Sequence, residues 1–109
     1  MVQHASVQEL RAAMDAGRAH VIDVREKYEF DAGHVAGAVL IPMATIPLRV
    51  TEIPRDRDVY LICRSGARSW QVAAWLERQG ITATNVEGGM GAWQWAGFPV
   101  QTAAVGVAR

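Results

Sequence analysis

Val59-Tyr60-Leu61-Ile62-Cys63-Arg64-Ser65-Gly66-Ala67-Arg68-Ser69 is the stretch on which the fold turns. It opens with a short apolar run bounded by β-branched residues, the pattern of a strand buried on both faces. From Ser69 onward Val72, Ala73 and Leu76 recur at helical spacing, and Gly80 closes a helix over 69–79. Between strand and helix lies a turn with the only cysteine of the chain, one glycine and two arginines. A buried strand that passes through a short turn into a helix is half of a βαβ unit, which points to an α/β class.

Working outward, the same alternation repeats. Residues 1–5 suit a short edge strand. Ser6-Val7-Gln8-Glu9 is a capping box, followed by Leu10, Ala13 and Met14 on one face and Gly17 as a stop, so a helix of about 7–16 is expected. Residues 19–24, with Val21, Ile22 and Val24, read as a buried strand. Residues 25–32 read as a short helical turn or loop carrying Tyr28 and Phe30, punctuated by Gly33 and Gly37. A second short strand, 38–41, stops at Pro42. Pro47 and Pro54 hold 43–57 to a turn or two of helix. A last strand, 82–87, turns at Gly88-Gly89 into a short helix over 90–96, and the small residues of 102–109 are expected to fray. The expectation is one three-layer α/β domain over 1–109, with a central, mainly parallel sheet of about five strands and helices on both faces. In such sheets ligands bind beyond the carboxyl ends of the strands, where Cys63 stands.

Composition narrows the function classes. The chain has 109 residues, half of them apolar and a fifth charged, which suits a packed core and not disorder. Eleven basic residues balance eleven acidic ones, so bulk charge suggests neither nucleic acid nor an anionic membrane as a partner, and any positive potential is local. A single cysteine excludes an internal disulfide and leaves the thiol without a resolving partner in the chain. No apolar run is long enough to span a bilayer, and the first ten residues lack a secretory pattern, so a cytoplasmic, reducing location is the default expectation.

The turn is built for an anion. A chain curling back before a helix points several backbone N–H groups inward, Gly66 permits the positive φ such a curl needs, and the helix start adds partial positive charge. Arg64 and Arg68 add formal charges, and no carboxylate from Val59 to Leu76 cancels them. Each effect favours thiolate, so a depressed pKa is expected for Cys63. The competing reading is a buried structural cysteine, which does not need arginine, glycine and arginine within five residues. Three chemistries suit the turn. Phosphate-monoester or arsenate chemistry shares its logic, but cysteine-dependent phosphatases carry a longer spacing between cysteine and arginine than the four residues here, Arg64 to Ala67. Disulfide exchange is disfavoured by the missing second cysteine. Sulfur transfer is the third.

Cys63-Arg64-Ser65-Gly66-Ala67-Arg68-Ser69 resembles the active-site loop of single-domain rhodaneses, the thiosulfate sulfurtransferases. Asp23-Val24-Arg25-Glu26, Tyr28-Glu29-Phe30 and Gly33-His34-Val35-Ala36-Gly37-Ala38 with Ile41-Pro42 resemble the N-terminal motif of that family. Glu87-Gly88-Gly89-Met90-Gly91-Ala92-Trp93 with Gly97-Phe98-Pro99-Val100 resembles its C-terminal motif. The matches follow the family order over about 5–100. The resemblance implies a rhodanese-like fold and a two-step covalent mechanism. Cys63 takes the outer sulfur of a small anionic donor such as thiosulfate, then passes it from a persulfide to cyanide, a thiol or a protein acceptor. It implies that Arg64, Ser65, Gly66, Ala67, Arg68 and Ser69 bind the donor, with no metal and no organic cofactor. A non-catalytic docking or regulatory module, and a sulfur-relay protein with a protein acceptor, are the alternatives.

Other residues carry weaker signals. Asp23 and Arg25 are read as a loop-fixing ion pair rather than pocket residues, and His34 as a structural histidine. Ser65 and Ser69 are candidate donors to the substrate, and Ser69 is equally a candidate helix N-cap. Trp70 is a candidate pocket rim, Trp93 a core residue, and Trp75 either a partner patch or a half-buried helix edge.

Overall fold

The computed structural model describes residues 1–102. The expected fraying of 102–109 lies, from 103 on, outside the described residues. Five strands form one sheet: β1 (Gln3–Ala5), β2 (Ala19–Asp23), β3 (Val39–Leu40), β4 (Asp58–Ile62) and β5 (Thr84–Val86). Their order is β1-β5-β4-β2-β3, and every pairing within the sheet is parallel. The strand that delivers Cys63 is therefore central, flanked by β2 and β5.

Alternation along the strands builds two cores. Val59, Leu61 and Cys63 on β4 and its end, with Ile22, face α3 (Ala67–Arg78), whose Val72, Ala73 and Leu76 complete that layer. Tyr60 and Ile62, with Val21 and Val86, face α1 (Val7–Asp15) and α4 (Gly89–Trp95) through Leu10, Met90 and Trp93. Period-2 side chains on a sheet covered on both sides explain why the strands read as continuous apolar runs. A fourth helix, α2 (Lys27–Ala32), follows β2 at the carboxyl ends of the strands.

Local chemistry explains most boundaries. In the Ser6 capping box the hydroxyl accepts from the Glu9 amide at 3.0 Å and the Glu9 carboxylate accepts from the Ser6 amide at 2.8 Å. Two 3-10 segments, Met43–Leu48 and Val50–Glu52, fill the proline-limited region. Two strands are shorter than expected: β3 is squeezed between the left-handed Gly37 and Pro42, and β5 pairs only over three residues. The main correction is at α3. It begins at Ala67, because Gly66, at φ 102°, turns the chain into the helix two residues before Ser69. Ser69 is thus no N-cap. It lies inside the helix, on the buried stripe with Val72 and Leu76, where an apolar residue would be usual.

Candidate active site

Cys63 leaves the central strand with its side chain in the α3-facing core, 1% exposed. The turn wraps donors around it. The Gly66 amide reaches Sγ at 3.1 Å, the Ser69 amide at 3.4 Å and the Ser69 hydroxyl at 3.3 Å. Burial pushes the thiol pKa up. The Ser69 hydroxyl and the amides of Ser69, Gly66 and Ser65 pull it down, and they prevail, so the net shift is downward. The depressed pKa expected from the sequence is present, and the inward-pointing amides expected of the turn are among its causes. The Ser69 hydroxyl leads the downward causes, ahead of the amides, and no arginine is among the main ones.

The two arginines do different things. Arg68 forms a fork with Glu29 on α2, through bonds of 2.9 and 3.0 Å. That fork holds the Glu29 carboxyl down at about 2, against a smaller upward push from burial. It also raises Arg68, to which the Cys63 charge adds a lesser upward contribution. The expectation of two uncancelled charges is therefore corrected. No carboxylate is near in sequence, but one 39 residues away reaches Arg68 in space. Arg64 is exposed and, among the described residues, makes no ion pair. Ala67 is exposed in the first helical turn.

The back of the turn is held by α4. The Met90 amide donates to the Cys63 carbonyl at 2.8 Å and the Gly91 amide to the Arg64 carbonyl at 3.0 Å. Gly89, at φ +52°, makes this approach possible, since a Cβ there would lie 2.3 Å from the Cys63 carbonyl oxygen. The sequence places Gly88-Gly89 at a turn and within the C-terminal motif, without a packing role for either glycine. The signal was present as two adjacent glycines opening a helix, one of which serves close backbone approach.

A cavity of about 650 Å³ opens over the outer side of the turn. Arg64 and Ser65 form its floor, Tyr28 and Glu29 one wall, and Met90 and Gly91 another. Cys63, next in sequence to Arg64, does not itself line the cavity. A cavity of similar volume, about 660 Å³, opens by Pro54–Tyr60 and Gly80–Thr84, at the amino ends of β4 and β5. Its lining residues do not include Cys63. Arg25 lines the thiol-side cavity but is committed elsewhere. It grips Asp23 through Nε and Nη2, at 2.7–3.1 Å, and donates to the Gly33 carbonyl at 2.8 Å. The loop-fixing reading of this pair matches that geometry.

His34 is also tied into the scaffold. Its Nδ1 is 2.8 Å from the Phe30 carbonyl, and its ring stacks on Phe30. Trp93 is buried, with Nε1 donating to the Pro99 carbonyl at 2.9 Å. Trp70 does not border the thiol-side cavity. It lies half-exposed in a separate groove with Met43, Pro47 and the partly buried Trp75. Asn85, which sequence reasoning passed over, is buried on β5 with Oδ1 at 2.5 Å from the Ser69 hydroxyl. No three His, Cys, Asp or Glu side chains among the described residues come together to hold a metal ion.

Residues 6–96 match the family described as Rhodanese-like domain. A protein of Allochromatium vinosum named Sulfurtransferase is 44% identical over 81 residues, which cover 73% of this chain and 76% of the relative. The crystal structure of a rhodanese-related protein from Thermoplasma volcanium superposes with a TM-score of 0.85 at 28% identity, covering 91% of this chain and 97% of the other. That of a rhodanese-like domain protein from Staphylococcus aureus superposes with a TM-score of 0.80 at 36% identity, covering 84% and 91%.

Proposed function

Since the chain belongs to the rhodanese-like domain family, we propose that it is a sulfurtransferase in which Cys63 carries sulfur as a persulfide. The observation that carries this reading is a buried thiol at the carboxyl end of the central strand, facing three hydrogen-bond donors and held below its ordinary pKa. In the first step the thiolate attacks the outer sulfur of a small anionic donor such as thiosulfate. The new S–S bond forms as the donor's own S–S bond breaks, and sulfite leaves with the electron pair. In the second step cyanide or a thiolate attacks the terminal sulfur, and the Cys63 thiolate is the leaving group. Neither step changes the number of protons on the protein, so no general base is required.

Within this reading the turn residues divide the work. The amides of Ser65, Gly66 and Ser69, with the Ser69 hydroxyl, hold negative charge on sulfur before and after transfer. Arg64, at the floor of the cavity, meets the anionic part of the donor. Arg68 fixes the turn against α2 through Glu29 and adds its charge from behind. Ala67, exposed in the first turn of α3, adds no charge or bulk of its own to the turn. No described helix is long and apolar enough to cross a membrane, and a cytoplasmic place with a thiol or protein acceptor suits a chain whose chemistry needs a reduced cysteine.

The test is direct. The protein is incubated with thiosulfate, and its intact mass is taken under non-reducing conditions. One added sulfur, absent in Cys63→Ser, is expected. No adduct from thiosulfate or any other sulfane donor would sink the reading and leave a docking module. Robust turnover of a small aryl phosphate would instead favour phosphatase chemistry.

A further inference from the structure

The sheet register places a histidine in line with the thiol. His4 on β1 pairs with Asn85 on β5, and Asn85 pairs with Leu61 on β4, so their side chains share the face that α3 covers. His4 Nδ1 is 3.2 Å from Asn85 Nδ2, Asn85 Oδ1 is 2.5 Å from the Ser69 hydroxyl, and that hydroxyl is 3.3 Å from Cys63 Sγ. An unbroken hydrogen-bond chain thus runs from the thiol to a partly exposed imidazole at the sheet edge. Ser69 has a single proton to give, and Asn85 Oδ1 and Sγ compete for it.

We propose that His4, Asn85 and Ser69 are positioning residues for Cys63, and that the charge on His4 decides which way the protons of this chain point. With a neutral imidazole, Asn85 Nδ2 donates to His4 Nδ1, the Ser69 hydroxyl donates to Asn85 Oδ1, and its oxygen is left to accept from a Cys63 S–H. With an imidazolium, Nδ1 becomes a donor and the Asn85 amide turns over. Oδ1 then faces His4, Nδ2 donates to the Ser69 oxygen, and the hydroxyl proton is released toward a Cys63 thiolate. The two arrangements carry equal numbers of protons, so thiol with neutral imidazole and thiolate with imidazolium are alternative distributions. Glu87 Oε2 lies 4.0 Å from His4 Nδ1. Arg78, at the far end of α3, makes no ion pair among the described residues, whereas other charged groups on the surrounding elements have partners. Glu9 on α1 faces the Ser6 amide, Glu77 on α3 the N-terminal amine, Arg68 Glu29, and Arg25 Asp23. Arg64 and Tyr28 border the cavity side of the turn.

The consequence for persulfide formation rests on the sulfur-transfer reading, but the test reads the thiol itself. Alkylation of Cys63 by iodoacetamide is followed from about pH 5 to 9, spanning the range in which histidines change charge. The wild type is expected to show a shoulder below its main thiol step. His4→Gln and Asn85→Leu lose the shoulder and react about fivefold more slowly near pH 6, and the double variant is no slower than either. Coupling is reciprocal, so the His4 imidazole resonance titrates at lower pH in Cys63→Ala than in the wild type. Superposable alkylation profiles in wild type and folded His4→Gln would overturn the proposal. So would an unchanged His4 titration in Cys63→Ala, a measurement that stands if His4→Gln fails to fold. Sulfur uptake from thiosulfate with superposable profiles refutes the relay alone, whereas coupled profiles without uptake refute sulfur transfer alone.

Discussion

Gly89→Ala is the sharpest test of how the thiol turn is held. The added Cβ would stand 2.3 Å from the Cys63 carbonyl oxygen and 2.8 Å from both the carbonyl carbon and oxygen of Arg64. All three are backbone atoms, so no rotamer change relieves the clash. The residue also sits at φ +52°, where an alanine costs about 1–2 kcal/mol. Overpacking adds about 1–3 kcal/mol, and if α4 withdraws instead, the bonds from the Met90 and Gly91 amides lengthen at about 1 kcal/mol each. The total is about 2–5 kcal/mol, a large part of the stability of a small domain. Two glycines serve as controls. Gly17, at φ +72°, has nothing within 4 Å of its Cβ position, so Gly17→Ala costs only the conformational part. Gly91 lies inside α4, its Cβ position 3.6 Å from the Arg64 carbonyl oxygen, so Gly91→Ala is expected to be neutral or to stabilise by up to about 1 kcal/mol. Urea unfolding ranks the three variants, and iodoacetamide kinetics report whether the turn has moved. Gly89→Ala is expected to fall about 1–3 kcal/mol below Gly17→Ala and to raise the alkylation midpoint of Cys63. Equal stabilities with unchanged alkylation would show that α4 does not brace the turn.

Iodoacetamide kinetics on the wild type should give a Cys63 midpoint below that of a free thiol; Ser69→Ala should raise it clearly and Arg64→Gln hardly at all, because the donors near Sγ cause the downward shift. Arg64→Gln should instead raise the KM for an anionic donor, by about tenfold for one lost charge-assisted contact. Glu29 has a carboxyl lowered from 4.5 to about 2, so its stabilising contribution is complete above about pH 4.5 and disappears as the pH falls toward 2. Glu29→Gln should therefore lose stability at neutral pH and show a shallower decline between those values, read by denaturant midpoints across the acid range. Leu76→Ala, at a fully buried position under the sheet, should cost about 2–5 kcal/mol by urea unfolding without shifting the alkylation midpoint.

What the sequence disclosed was what neighbouring residues decide among themselves. The Ser6–Glu9 box, the apolar runs of β2 and β4, the stripe Val72–Leu76 and the left-handed Gly66 are local patterns, and they are where spacing places them. The start of α3 was misplaced because serine before an apolar stripe resembles a cap. Only the positive φ of Gly66 settles that the helix has already begun. Elements were legible while contacts between them were not, because a parallel crossover joins residues that sequence separates by dozens of positions. Arg68 meets Glu29 across 39 positions, and Ser69 meets Asn85 across 16.

The placement of Ser69 connects these points. A hydroxyl on the buried stripe of a helix is at a disadvantage beside an apolar residue unless it is hydrogen-bonded. Here it has two partners, and both belong to the arrangement around the thiol. The same serine seen as a cap would have stabilised a helix end, as such residues do in most folds. Inside the helix it exchanges that service for control of a sulfur atom. The depressed thiol therefore depends less on the arginines that mark the loop in sequence than on the glycine that starts the helix early. Gly66 brings its own amide and the Ser69 amide and hydroxyl to Sγ together. Gly66→Ala should accordingly raise the Cys63 midpoint more than Arg64→Gln does, because a left-handed alanine also has to displace the Gly88 amide nitrogen, 3.3 Å from its Cβ. A Gly66→Ala variant that unfolds normally and keeps the wild-type alkylation midpoint would mean that the donors around sulfur do not depend on this turn.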